Sequence, residues 1–267
     1  MPIDYHIHTK MCGHATGEMA EYIAVARQKG LQEIGFSDHL PMYFLPENER
    51  DTTIAMKVEE LPLYEQRVKE MQEIFYPFPV KFGIEADYTP GMEKELASIL
   101  LKHDFDYIFG SIHFLHGWGF DQPKYKAEYD KWDIYELYQL YFSILGQAAA
   151  SGLFDTLAHP DLIKKLGFKP DLDITSLYEE TLKQIADSGV CIEINTAGLR
   201  GPAGEIYPAP EFLRLCYRNR IPVSLGSDAH KPEQVGANFK EAIELLKSSG
   251  YREIVTFSGR NRNYCRI

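Results

Sequence analysis

Short apolar stretches of strand character alternate with helical patterns along this chain, and that alternation limits what it can fold into. Strand-like segments fall at 3–9 ("IDYHIHT"), 33–39 ("EIGFSDH"), 80–88 ("VKFGIEADY"), 107–115 ("YIFGSIHFL"), 156–160 ("TLAHP"), 191–196 ("CIEINT") and 222–228 ("PVSLGSD"), with a weaker one at 253–258. Helical patterns fill the gaps: "EMAEYIAVARQKG" puts Met19, Tyr22, Ile23 and Ala26 on one face and stops at Gly30. Others lie near 56–74, 92–102, 133–151, 174–188, 209–218 and 237–248. Strands alternating with helices are the signature of parallel α/β architecture, in which each strand returns through a crossover. About seven such units in 267 residues predict a single α/β domain, closed or nearly closed into a barrel. An open doubly wound sheet is the alternative, but the glycine-rich phosphate loops that favour it are missing from the sequence.

Composition narrows the function. With 45% hydrophobic and 25% charged residues, the chain can bury a sizeable core. No apolar run approaches the ~20 residues of a membrane helix, and "MPIDYHIH" has the features of neither a basic n-region nor an apolar h-region. A net charge of −11 without any Lys/Arg-rich block argues against nucleic acid as a partner. Cys12, Cys191, Cys216 and Cys265 are far apart, which fits reduced thiols in a cytoplasm better than a disulfide framework. The segment 40–55 ("LPMYFLPENERDTTIA") reads as a long loop and a candidate rim over a site, and 198–210 ("GLRGPAGEIYPAP") as a second loop.

The nine histidines are unevenly placed. His6 and His8 end the first strand, and strand alternation points both rings one way, with Ile3, Tyr5 and Ile7 pointing the other. His14 follows in "CGHATGE", His39 closes "SDH", His113 sits in "GSIHF", His159 in "AHP" and His230 in "GSDAH". Glu85 in "GIEADY" and Asp228 in "SDAH" hold matching places. In a β/α barrel these strand ends converge on one mouth. Nine imidazole and carboxylate groups in one volume carry a severe desolvation cost unless divalent cations satisfy them. They exceed one four-coordinate centre, so two or three ions are expected, of a kind such as Zn²⁺, Fe or Mn²⁺. His103 and His116 read as ordinary histidines, although His116 lies close enough to the mouth to touch a substrate.

The ordered series "HIH", "GHATGE", "SDH", "GIEADY", "GSIHF", "AHP" and "GSDAH" resembles the polymerase-and-histidinol-phosphatase (PHP) superfamily. Within it, "GIEADYTPG", "GSIHFLHGWGFD", "HPDLIKKLG" and "EINTAGLRGPAGEIYP" are similar to the stand-alone histidinol-phosphate phosphatases of histidine biosynthesis. The resemblance implies a distorted (β/α)7 barrel with a trinuclear metal site of zinc, iron or manganese. It implies that His6, His8, Glu85 and Asp228 hold a first metal, that Glu85 bridges to a second completed by His113 and His159, and that His14, His39 and His230 hold a third. The implied reaction is metal-dependent hydrolysis of L-histidinol phosphate to L-histidinol and phosphate.

Arg200, just past the sixth strand, is the candidate to clamp the phosphate, since a guanidinium matches phosphate oxygens in two-pronged fashion. Asp228 or His230 could pass a proton to the leaving alkoxide. Phe114, His116, Trp118 and Asp121, with Tyr43 and Phe44 of the long loop, are candidate walls for an amine and an imidazole. The rival readings are a PHP-type phosphatase acting on phosphotyrosine, a nuclease-like member, a non-catalytic metal-stabilised PHP module and an amidohydrolase-type barrel. Subunit association is left open.

Overall fold

The computed structural model describes residues 3–267. In chain order the strands are β1 (Ile34–Phe36), β2 (Val80–Asp87), β3 (Tyr107–Ser111), β4 (Phe114–Leu115), β5 (Trp118–Gly119), β6 (Thr156–Leu157), β7 (Cys191–Asn195), β8 (Val223–Gly226), β9 (Glu253–Ser258) and β10 (Asn261–Arg266). The helices are α1 (Met19–Gln28), α2 (Leu61–Ile74), α3 (Glu93–Leu100), α4 (Ile134–Ala150), α5 (Thr175–Ser188), α6 (Pro210–Arg218) and α7 (Phe239–Ser249). Each helix falls where the apolar period places one, and Met19, Tyr22, Ile23 and Ala26 of α1 are buried as expected.

Six strands form one parallel sheet in the order β1-β2-β3-β6-β7-β8. The first segment lies between its two edges. On one side Gly35 N donates to Asp4 O at 2.8 Å and Ser37 N to Ile7 O at 2.9 Å. On the other, Tyr5 N donates to Leu225 O at 3.2 Å and His8 N to Ala229 O at 2.9 Å. Residues 4–8 are thus a seventh, irregular stave, and the sheet curls into the distorted (β/α)7 barrel.

The irregularity corrects one expectation. From Gly35 to Ser37 the chain advances two residues, while its neighbour advances three, from Asp4 to Ile7. The extra residue is a bulge, and it breaks the side-chain alternation. Tyr5 stacks on Tyr107 at 4.8 Å and His6 on Phe109 at 4.9 Å. Tyr107 and Phe109 are alternate residues of β3 and share a face, so Tyr5 and His6 both turn inward instead of opposite ways.

Tyr107 fills the lower interior. A side chain on Gly35 or Gly83 would collide with its ring, and its hydroxyl donates to Tyr5 O at 2.6 Å and Phe36 O at 3.2 Å. The hairpin β9–β10 lies below, with Phe257 N donating to the Tyr5 hydroxyl at 3.1 Å. The polar, half-exposed β10 ("NRNYCR") carries no apolar alternation that would mark it as a strand.

At the other end the regular strands stop earlier than their composition suggests, leaving "SDH", "IH", "AHP" and "SDAH" over the mouth. His159 and Asp228 take φ values of 26° and 53°, a left-handed region that interrupts the extended strand geometry at each. The rim segment 40–55 is irregular apart from a short turn at Glu47–Glu49. It is seated against the first loop at Gly13, where φ is 86° and a side chain would strike Thr52 and Thr53.

Candidate metal centre

All nine ligand candidates meet at the mouth. His6 Nε2 lies 3.1 Å from His8 Nε2, and His8 Nε2 lies 3.3 Å from Asp228 Oδ1. Glu85 stands in the middle. Its Oε1 is 2.9 Å from His159 Nε2 and 3.7 Å from His113 Nε2. Its Oε2 is 3.0 Å from His39 Nδ1, 3.3 Å from His6 Nε2 and 3.5 Å from His8 Nε2. His230 Nε2 is 2.8 Å from His14 Nε2, and the His8 ring stacks on His230 at 4.2 Å.

The arrangement leaves polar atoms unsatisfied in a way that fits cations. Glu85 Oε2 is buried and has no hydrogen-bond partner despite three ring nitrogens around it. His14 Nδ1 and His230 Nδ1 sit 3.1 and 3.2 Å from the carbonyls of Cys12 and Asp228, which fixes their protons there. Both Nε2 atoms then aim lone pairs at each other across 2.8 Å. Burial and cationic neighbours push His14 down to about 4, burial lowers His230 against the pull of Asp228, and neither ring gains a proton readily. Imidazole and carboxylate donors suit Zn²⁺, Fe or Mn²⁺. Three-residue groups able to share an ion include His6, His8 and Glu85; His6, His159 and Asp228; and His8, His39 and His230. His8 belongs to groups of both the expected first and third metals, so the centres adjoin.

Carboxylates that the sequence reading did not single out support the rings from behind. Glu193 Oε1 lies 2.7 Å from His6 Nδ1, and Asp87 Oδ1 lies 3.0 Å from His113 Nδ1. Asp38, whose carboxyl burial pushes up to about 7, is 3.9 Å from His8 Nδ1. Burial disfavours a charged His6, but Glu193, Asp228 and Glu85 outweigh it and hold the ring well above its ordinary value. The signal for Glu193 was a lone charge inside the apolar strand "CIEIN".

Beside the cluster opens a cavity of about 200 Å³. Met42, Ile54 and Ala55 of the long loop line one side, which makes the segment 40–55 a rim as expected. Phe114, Asp121 and Lys165 line another, and Lys165 Nζ reaches Asp121 Oδ2 at 2.7 Å. Of the other wall candidates, Phe44 packs on Phe114 and Trp118 stacks on Trp132, while Tyr43 donates to Asp87 O at 2.8 Å. His116 sits with φ 50° in the exposed turn joining β4 to β5 and does not line this cavity. Arg200 is at the mouth, but one amino group is engaged: Nη2 donates to Ser227 O at 2.6 Å and Asp228 O at 3.0 Å.

A family model for the PHP domain matches residues 4–197. The chain belongs to the PHP family. A relative from Deinococcus radiodurans, named a probable histidinol-phosphatase, is 41% identical over 258 residues, 96% of each chain. The histidinol-phosphatase of Bacillus subtilis is 28% identical, covering 90% of this chain and 98% of its own. The crystal structure of histidinol phosphate phosphatase from Lactococcus lactis, complexed with Zn, L-histidinol and phosphate, superposes with a TM-score of 0.84 over 98% of both chains at 22% identity. The shared PHP fold covers the whole barrel, including strands beyond the part the family model matches.

Proposed function

We propose that this chain is one PHP-type phosphatase domain that hydrolyses L-histidinol phosphate to L-histidinol and phosphate, with two or three divalent transition-metal ions bound by His6, His8, His14, His39, Glu85, His113, His159, Asp228 and His230. The observation that carries this reading is Glu85 Oε2, buried and unpartnered amid ring nitrogens and next to an open cavity. The relative named for this activity, 41% identical over 96% of both chains, supports the substrate. Bound metals supply a water of lowered pKa and cationic charge for the phosphoryl oxygens.

The chain's own groups do the rest. Arg200 orients the peptide that carries Asp228 through its carbonyl contacts, and we assign its remaining donors to the phosphate. Of the two relay candidates Asp228 is the one free to act, since His230 holds its Nδ1 proton on the Asp228 carbonyl and turns Nε2 to the metal site. The Asp228 carboxylate would take the proton shed by the attacking water and return it to the leaving alkoxide. Asp121 and Lys165 line the cavity beside the ligand cluster: the carboxylate suits the amine or imidazolium of the substrate, and the ammonium suits a phosphate oxygen. Four free cysteines support work in a reducing cytoplasm, and among the described residues no helix is long and apolar enough to cross a membrane.

A panel of phosphate esters tests the reading. Metal-loaded protein should release phosphate from L-histidinol phosphate far faster than from phosphotyrosine or a dinucleotide, and a chelator should stop it. A preference for phosphotyrosine would move the assignment to another PHP phosphatase, and unchanged turnover without metal would remove the mechanism.

A further inference from the structure

We propose that Glu193 is a positioning residue: it fixes the tautomer and orientation of His6 and ties three metal-ligand strand ends into one unit. The inference rests on the metal-centre reading above, though not on the identity of the substrate.

Glu193 lies in the middle of β7 and is fully buried. A charge there is costly unless every lone pair is used, and here both oxygens are. Oε1 faces His6 Nδ1 at 2.7 Å. Oε2 accepts from the backbone N of His159 at 2.9 Å and from Asn195 Nδ2 at 3.0 Å. That same Asn195 amide reaches Asp228 Oδ2 at 3.3 Å. One carboxylate therefore touches the ligands of two other strands directly and a third through a single amide.

An ionised carboxylate only accepts, so His6 Nδ1 must donate. The proton is held on Nδ1, and Nε2 is left to face the point where His8 Nε2 and Glu85 Oε2 converge. A ring that donates to a carboxylate is also a more basic metal ligand. By contrast, the hydrogen-bond partner of Nδ1 in His14 and His230 is a backbone carbonyl oxygen.

The neighbouring strand leaves space for this contact. Gly226, at the end of β8, has no side chain where one would strike both Glu193 Oε1 and His6 Cβ. Its φ is not among the positive values that demand glycine, so the need for Gly here is room and not backbone conformation.

The test measures zinc affinity by competition with a chromophoric chelator, with no substrate present. Glu193→Gln keeps the size but cannot accept from both His6 and His159, and affinity should fall roughly 10–100-fold. Glu193→Asp keeps the charge at shorter reach and should retain part of the affinity that Gln loses. Wild-type affinity in Glu193→Gln, or a loss in Asp alone, would reduce Glu193 to a packing residue. A second measurement needs no variant: nitrogen-15 NMR of histidine-labelled, zinc-loaded protein should show His6 with its proton on Nδ1. A His6 protonated on Nε2, or on neither nitrogen, would overturn the proposal. A failed phosphatase assay would leave both readouts standing.

Discussion

Glu85 Oε2 lies 3.0 Å from His39 Nδ1 and yet forms no hydrogen bond with it. The oxygen is buried between rings that belong to separate strand ends, so it spends its lone pairs on none of them. A shared cation resolves that contact. Burial disfavours the ionised carboxylate, but His39, His6 and His113 hold it well below the usual range, so Glu85 is a ready anion at neutral pH.

Replacing the carboxylate should therefore remove metal and turnover together. Glu85→Gln keeps the volume and loses the charge at the centre. Activity should fall by more than about 100-fold, beyond what groups behind the ligands contribute. Elemental analysis of the purified variant beside its phosphate-release rate checks this; full metal content with activity lost would confine Glu85 to the reaction step.

Metal loading should release protons. Burial opposes charge on His6 and His113, but Glu193, Asp228 and Glu85 hold the first well above its ordinary value. Asp87 and Glu85 push the second up to about 10. Both shifts favour a proton on the metal-free rings, and a cation needs the lone pair that proton occupies. Affinity should rise with pH. Calorimetric zinc titrations in two buffers of different ionisation enthalpy should give different heats, and equal heats would contradict the sign.

Lys165 offers a separate handle on substrate. It lines the cavity and is tied to Asp121 at 2.7 Å, so burial is outweighed and its ammonium is held above its ordinary value. Lys165→Met removes one charge-assisted contact worth about 1.5–3 kcal/mol. The ratio kcat/KM for histidinol phosphate should drop roughly 10–100-fold, with metal content unchanged. Steady-state kinetics and elemental analysis together decide whether it reads substrate or supports the centre.

The lower barrel makes a stability prediction. A methyl group on Gly83 would press into Tyr107, whose hydroxyl is pinned to Tyr5 O and Phe36 O. Overpacking of this kind costs about 1–3 kcal/mol, so Gly83→Ala should lower Tm by roughly 2–12 °C. A thermal melt of metal-free protein reads it, and an unchanged Tm would show that the ring has room to shift.

The legible part of this protein was what is local. Helix faces such as that of α1 follow from apolar spacing, and the ligand types His and Glu at strand ends announce their chemistry residue by residue. That is why the barrel class and nine candidate ligands that the structure brings to one mouth could be named from the chain. The bulge could not: an extra residue between Asp4 and Ile7 exists only relative to the neighbouring strand, and it turned Tyr5 inward against the alternation.

The same reason separates ligands from their supports. A histidine is a metal ligand by its own chemistry, whereas Glu193 matters because barrel closure brings it to a ring 187 positions away. Sequence by itself determined which donors were available and the class of scaffold that would gather them. Tertiary structure alone decided which nitrogen of each ring faces inward, which carboxylates stand behind, and that Lys165 shares the cavity, because such contacts depend on the register and curl of strands that meet only once the sheet closes.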